Sequence, residues 1–593
     1  MSNYSIFKQA LSELEKNKEQ FEAVNCKGHC VVLAGPGSGK TKTLTTAIAR
    51  SLHEEVIAPR AIACITYNNE CAIELENRLT RLGVATQDRN FIGTVHSFAL
   101  TQIIMPYARC IKDIVPDDFK VANFSECRAA VENAYKIIYK DSGNPHNQWE
   151  FAKEKRSRDV DRSLPAWKGH NQELAEFIEA YELELRKNGL IDFDDMPLIA
   201  FKMIKENIWI RQALEARFPI LFVDEYQDLG HVLHELVQLL CFDGKIRLFA
   251  VGDADQSIYG FTGANPELLK GLTERNNVQT IQLKFNYRSG TKIVKASSGA
   301  LDEVREYKSP DGTPEGEIIF NSVNGDLEKQ ASFIVNNLLV QLNSQGYKNE
   351  QIAILYRAAW LGDKIVEVLE QKKLTYHRTD TNALIKRSSK LARFIENCTK
   401  WITGGWKLAD PPFNKLVKQA LSIVYGNHYT QSEEQSLTLH LIQFLQKSLT
   451  IQETTNEWLI RFKNELVDPW TIICRNNLQE WYICSELIQH TSPDIEKDMS
   501  LDLFSGKTEG SGRLTLTTFH SSKGREFDAV IIYGVNNNVI PSWRDKKTPQ
   551  TQKEARRLFY VAVTRPKSIL HMVYQYGNDS EFLKSFTSEV EHS

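Results

Sequence analysis

The sequence predicts an α/β protein built on parallel sheets, and three observations carry that prediction. An apolar run from Cys30 to Leu33 passes directly into the octet Ala34-Gly35-Pro36-Gly37-Ser38-Gly39-Lys40-Thr41. A second apolar run, Ile220–Val223, ends in the adjacent carboxylates of Asp224 and Glu225. Three further runs, Ala61–Ile65, Phe91–Val95 and Ile246–Val251, each hand over to polar and aromatic residues, as strands do where open α/β sheets build their sites. At 593 residues the chain is too long for one core, and about 150 residues per domain suggests roughly four units.

The composition excludes several classes. Hydrophobic residues make up 42% and charged residues 25%, which is ordinary for a globular protein. The net charge of −3 means that any nucleic-acid surface must be a local groove and not a global basic field. The charged, amphipathic N-terminus has no apolar signal core, and no run approaches the length of a membrane span, so a cytoplasmic protein is expected. The ten cysteines include no CxxC pair, so neither a zinc ribbon nor a disulfide framework is indicated.

Taken in order, Asn17–Val24 offers Gln20, whose amide both donates and accepts and could read an adenine edge. The octet after the first strand fits a phosphate-binding loop, with Ala34 where the first glycine is usual. Gly35, Gly37 and Gly39 let the backbone reach positive φ and bring its N–H groups close to phosphate oxygens. Lys40 supplies a mobile charge for the terminal phosphates, and the Thr41 hydroxyl can ligate Mg²⁺. A nucleoside triphosphate is the ligand this loop predicts. Tyr67 and Asn68 follow the second strand, and His96 the third.

Residues 99–190 read as helices, and the charges of Glu150–Arg162 read mostly as a solvated face. Asp192, Asp194 and Asp195 suggest a metal site on paper, although helix capping explains them with less. Asp224 is suited to hold Mg²⁺ and Glu225 to polarise an attacking water. After the fourth strand, Gln256 is placed to sense a γ-phosphate, and Tyr259 and Phe261 offer faces for stacking.

GPGSGKT, VDEYQD, VGDADQSIYGF, LKFNYRSG (Leu283–Gly290), TFHSSKGREFDAVII (Thr518–Ile532) and EARRLFYVAVTRPK (Glu554–Lys567) occur in that order. Together they resemble the superfamily 1A helicases of the UvrD/Rep/PcrA type. The resemblance implies two RecA-like motor domains, each with a helical insertion, and ATP bound in the cleft between them. On that pattern 1–98 and 191–280 form the first motor domain around the insertion 99–190. Residues 281–390 and 506–593 form the second, around a reduced insertion at 391–505. Gln20 would then read adenine and Tyr287 stack on it, with Glu526 also at the nucleotide. Arg288 and Arg565 would reach the γ-phosphate, where a guanidinium fork can neutralise developing charge. Tyr67, Asn68, His96, Tyr259 and Phe261 would line the single-strand track.

The chain departs from the family pattern at a few positions. Tyr67-Asn68 replaces Phe-Thr, Glu70 stands where lysine is common, Lys42 where many members carry arginine, and Thr262 where arginine is usual. The tryptophans of 391–505, Trp401, Trp406, Trp458, Trp470 and Trp481, read as helix-packing core. No carboxylate–lysine cluster of the nuclease kind follows Lys567, so cutting activity is not expected.

The favoured reading is an ATP- and Mg²⁺-dependent 3′→5′ helicase and translocase on single-stranded or tailed duplex DNA. One rival is a motor that unwinds poorly alone and serves a nuclease partner, as in Gabija-type antiviral systems. The other is a nucleotide-switched binding module.

Overall fold

The computed structural model describes residues 3–591 except 68, 85–89, 112–113, 117, 141–142, 170, 261–262, 304, 381–382, 384–388, 409–410, 427–428, 475–479, 493–499 and 506–511. The chain forms two compact units, one of residues 1–313 and 548–560, the other of 314–547 and 561–593. Residues 281–313, which the motif order assigns to the second motor domain, pack with the first unit.

The first unit is organised on a parallel sheet of six strands. In chain order these are β1 (His29–Ala34), β2 (Ala63–Thr66), β3 (Phe91–Thr94), β6 (Ile220–Val223), β7 (Arg247–Gly252) and β8 (Val278–Leu283). Their spatial order is β3-β2-β6-β7-β1-β8. The strands read as unbroken apolar runs because both faces are covered. Val31, Ala63, Ile65, Leu221, Val223, Leu248 and Ala250 enter the core on one face. Their sequence neighbours Cys30, Val32, Cys64, Ile220, Phe222, Phe249 and Val251 enter the core on the other. The sheet alternates side by side in register, as period-2 geometry requires. Strand β8 is an edge whose Gln279, Thr280 and Gln282 face solvent, so no apolar run announced it.

The insertion of this unit carries helices Phe124–Tyr139, Pro145–Arg158 and Gln172–Lys187 around its own small core of Ala134, Tyr135, Phe177, Ile178 and Tyr181. A short ladder of β4 (Lys120–Val121) and β5 (Leu190–Ile191) closes it, a pairing the helical reading of 99–190 did not contain. Most charges of Glu150–Arg162 are open to solvent, as expected, but two are not. Lys155 is buried where it pairs with Asp159, and Arg156 is buried where three carboxylates converge on it.

The second unit repeats the plan. Strands β9 (Glu317–Val323), β10 (Ile352–Tyr356), β11 (Tyr376–Arg378), β12 (Leu514–Thr518), β13 (Phe527–Tyr533) and β14 (Pro566–Gln575) lie parallel in the order β11-β12-β10-β13-β14-β9. Its insertion is helical, with Trp401, Trp458 and Trp470 buried among Phe394, Phe444 and Phe462. Trp406 is the exception; it is 45% exposed and does not pack in that core. Among the described residues, no helix is long and apolar enough to cross a membrane.

Candidate functional site

All six strands of the first sheet are parallel, so their carboxyl ends share one edge and the residues that follow them converge there. β1 enters a loop in which Gly37 and Gly39 hold φ of 68° and 79°. These are left-handed conformations that favour glycine. The loop is also hemmed in. A Cβ on Gly37 would lie 2.5 Å from Asn286 Oδ1, and one on Gly39 would lie 2.4 Å from Gln20 Nε2. The helix Lys40–Arg50 starts straight from the loop, and no side chain caps it. Its N-terminal dipole is therefore directed at the loop.

Lys40 Nζ is ion-paired with Glu225 Oε1, and both side chains are mostly buried. Burial opposes the ammonium's charge, but the carboxylates of Glu225 and Asp224 outweigh it and hold Lys40 above its ordinary value. Burial and the Glu225 carboxylate push Asp224 up to about 7, against the pull of Lys40. Asp253 is pushed up to about 7 by burial and by Asp255. Asp224, Glu225 and Asp253 thus all act on the Lys40 ammonium, which leaves a local surplus of negative charge. That surplus, with the Thr41 hydroxyl at the helix start, is a donor set that fits a hard divalent cation.

Glu225 itself sits at φ 50° and ψ 46°, a left-handed conformation uncommon for a non-glycine residue. Gln227 fixes it there. Its Nε2 donates to Glu225 Oε2 at 2.5 Å, while its Oε1 accepts from the Asp253 N–H at 2.8 Å. One side chain thereby ties the tips of β6 and β7 together. Gln256 is buried and donates to Asp253 Oδ2 at 2.6 Å. Further along the same loop, the Gly260 N–H donates to Glu554 at 2.9 Å.

Gln20 is buried against the loop, and its Nε2 donates to the Ser38 carbonyl at 2.9 Å. Lys42, in the first turn of the helix, pairs with Glu13 at 2.8 Å. Tyr287 is half exposed, its N–H donates to the Gly37 carbonyl at 2.8 Å, and its hydroxyl accepts from Asn17 at 2.7 Å. Asn286 Oδ1 accepts from the N–H groups of Arg288 and Ser289 at 2.8 and 3.0 Å, which sets the turn that places Arg288 beside Gly37.

A second group of side chains lies past β2, β3 and β7. The rings of Tyr67 and Tyr259 stack at 4.6 Å and 20°. His96 stacks at 3.9 Å and 18° on Phe193, whose side is open to solvent. Burial lowers the His96 pKa to about 4, so its ring is neutral near pH 7. Asn68, Phe261 and Thr262 lie outside the described residues, as does the side chain of Glu70.

Arg565 and Glu526 belong to the second unit. Arg565 is buried and donates to the carbonyls of Val561 and Arg525 and to Thr564 Oγ1. Glu526 pairs with Lys567 at 3.3 Å. Among the described residues, Asp192, Asp194 and Asp195 form no metal group, and the helix-capping expectation holds in part, with Asp195 in the first turn. Asp192 accepts from the Asp195 N–H, but it and Asp195 chiefly pair with Arg156, and Asp194 caps nothing with its side chain.

Several residues of the site escaped the motif reading. Asn286 stands inside LKFNYRSG and could have been found from its spacing to Arg288. Gln227 likewise lies within VDEYQD. Asn17, Phe193 and Tyr307, the last against Gly35, reach the site across long chain separations and carry no local signal.

Residues 16–277 match the UvrD/REP helicase N-terminal domain, and 281–392 with 475–577 match the UvrD-like helicase C-terminal domain. The chain is 25% identical to the ATP-dependent DNA helicase Rep of Buchnera aphidicola, over 94% of this chain and 95% of that protein. It is 26% identical to the ATP-dependent DNA helicase PcrA of Staphylococcus aureus, over 94% of this chain and 83% of that one. The PcrA of Leuconostoc citreum is also 26% identical, over 95% and 82% respectively.

Proposed function

The chain belongs to the UvrD/Rep/PcrA-type superfamily 1A helicases, and on that premise we propose that it is an ATP-driven DNA helicase moving 3′→5′ along one strand. The observation that carries the enzymatic part is the Lys40–Glu225–Asp224 group at the mouth of the phosphate loop. An ammonium there neutralises phosphate oxygens, and Glu225 accepts the proton of the attacking water. Thr41 and Asp224 would hold the magnesium of the nucleotide, which supplies Lewis-acid charge at the phosphates when bound. The backbone of Gly35–Gly39 cradles the same oxygens.

Adenine specificity is assigned to Gln20 and Tyr287, and the neutralisation of transferred charge to Arg288 and Arg565. Gln227 and Gln256 connect Glu225 and Asp253 to the loop that bears Tyr259, so a change at the γ-phosphate is felt beside an aromatic stack. Tyr67, His96 and Tyr259 present π-faces suited to bases of any identity, as movement along a strand demands. The polarity follows the family resemblance. The relatives Rep and PcrA are named as ATP-dependent DNA helicases, which favours movement over a static nucleotide switch.

ATP turnover measured with and without single-stranded DNA tests the proposal. Turnover should be Mg²⁺-dependent and rise with DNA, and Lys40→Ala should lose both nucleotide binding and turnover. Turnover indifferent to DNA, or surviving in Lys40→Ala, would contradict it.

A further inference from the structure

Gly35 is the first glycine of the phosphate loop, and it differs from the two that follow. Gly37 and Gly39 sit at positive φ, whereas Gly35 does not, so its backbone does not demand glycine. Space does. A Cβ on Gly35 would lie 2.3 Å from both Cε1 and Cζ of Tyr307 and 2.7 Å from its hydroxyl oxygen, and those are the three nearest atoms. The tip of a single ring fills the place of the missing side chain.

Tyr307 is anchored on both sides along the chain. The Asn286 N–H donates to the Lys308 carbonyl at 2.7 Å, and the Lys308 N–H donates to the Lys284 carbonyl at 2.9 Å. That short parallel bridge ties the residue after Tyr307 to the turn that follows β8. Two residues before Tyr307, Arg305 forks onto Asp255, its Nε donating to Oδ2 at 2.6 Å and its Nη2 to Oδ1 at 2.7 Å. A bidentate pair of this kind fixes orientation as well as distance. Asp255 precedes Gln256, and its N–H donates to Asp253 Oδ1 at 3.0 Å. Burial, and then the carboxylates of Asp253 and Asp255, push the Tyr307 phenol above its ordinary value, so the ring that meets the loop is neutral. Residues 305–308 thus hold two elements of the nucleotide site at once. Arg305 grips the turn that bears Gln256, and Tyr307 seats on the phosphate loop. The same stretch of chain passes into the second unit at Pro314.

We infer that Tyr307 is a positioning residue of the nucleotide site: its ring buttresses the phosphate loop at Gly35, so that ATP affinity depends on the segment leading into the second unit. The inference rests on reading the loop as an ATP site. Tyr307 acts through the loop's backbone, by packing and not by proton transfer.

The test is a size-complementation cycle on the full chain. It is read by titration with a methylanthraniloyl derivative of ATP in Mg²⁺, by steady-state ATPase and by melting temperature. Tyr307→Ala should raise the nucleotide Kd about fivefold, and KM with it, while turnover at saturating ATP falls less than about twofold. Tyr307→Phe keeps the ring and should regain most of that loss. Gly35→Ala should raise Kd about tenfold or more in the parent, because methyl and ring overlap. In the Tyr307→Ala background the same glycine change should add little, since its space has been vacated. Where Tyr307→Ala folds poorly, Tyr307→Leu shortens the side chain without emptying the site and should relieve part of the Gly35→Ala penalty. An equal cost of Gly35→Ala in both backgrounds would overturn the inference, as would a lowered melting temperature in Tyr307→Ala with unchanged affinity per folded molecule. Lys40→Ala, titrated alongside, keeps the two readings apart. Lost binding there beside unchanged affinity in Tyr307→Ala defeats the positioning role alone, whereas full binding in Lys40→Ala defeats the nucleotide site on which it rests.

Discussion

Replacing Gly37 by alanine should damage the site in a way that can be worked out from its surroundings. The residue sits at φ 68°, where an L side chain costs about 1–2 kcal/mol. The new Cβ would also stand 2.5 Å from Asn286 Oδ1 and 2.7 Å from Arg288 Cβ, so something must move. Overpacking of that kind costs about 1–3 kcal/mol. The combined penalty of about 2–5 kcal/mol, on a unit of this size, corresponds to a melting temperature lower by roughly 3–7 °C. The functional loss should exceed what stability explains. Asn286 holds the N–H groups of Arg288 and Ser289, and the Tyr287 N–H is bonded to the Gly37 carbonyl, so shifting Asn286 unseats the turn that places Arg288. Turnover at saturating ATP, measured well below the melting transition, should fall at least tenfold, part of the 10³ or more attributed to an arginine at the transferred phosphate. A Gly37→Ala variant with the parent's melting temperature and turnover would refute the claim that this glycine is demanded by both φ and close approach.

Three other outcomes are expected. Arg565→Lys should lose turnover by orders of magnitude with little change in ATP affinity, because the fork is lost while the charge stays, and single-turnover kinetics beside nucleotide titration will separate the two. Tyr67→Ala should weaken single-strand binding roughly tenfold or more irrespective of base composition, since it removes one ring of the Tyr67–Tyr259 stack; anisotropy with oligothymidylate and mixed-sequence strands should agree. The third concerns acid stability. Burial pushes the pKa of His571 down to about 4, whereas the unfolded chain takes up that proton near 6.5, so the unfolded state binds more protons between those values. Stability should therefore be intact above about pH 6.5 and fall as pH drops towards 4, by up to about 1.4 kcal/mol per pH unit for this group. His571→Phe should flatten that limb of a denaturant-midpoint profile.

The legible parts of the chain were those whose chemistry is contiguous. Lys40, Asp224, Glu225 and Gln256 each follow an apolar strand by a few residues, so a strand end and a motif identify them together. Strand β8 and the three-residue β11 stayed hidden because edge strands need no unbroken apolar run. Arg156 looked like one more charge on a solvated helix, since its burial depends on Asp192 and Asp195 more than thirty residues away. Phe193 gave no sign for the same reason. Spacing reports what neighbours in sequence can do together, and the stack on His96 joins residues almost a hundred positions apart.

Strand displacement by the wild-type chain and by Glu225→Gln, in saturating Mg-ATP, on duplexes carrying either a 3′ or a 5′ single-stranded tail, tests whether hydrolysis at Glu225 drives 3′→5′ unwinding. The wild type should release the strand from the 3′-tailed duplex and leave the 5′-tailed one intact. The glutamine variant should bind ATP and DNA yet release nothing, because its amide cannot take the water's proton. Unwinding by Glu225→Gln at near wild-type rate would rule out Glu225 as the acceptor of the water's proton, and preference for the 5′ tail would rule out 3′→5′ movement.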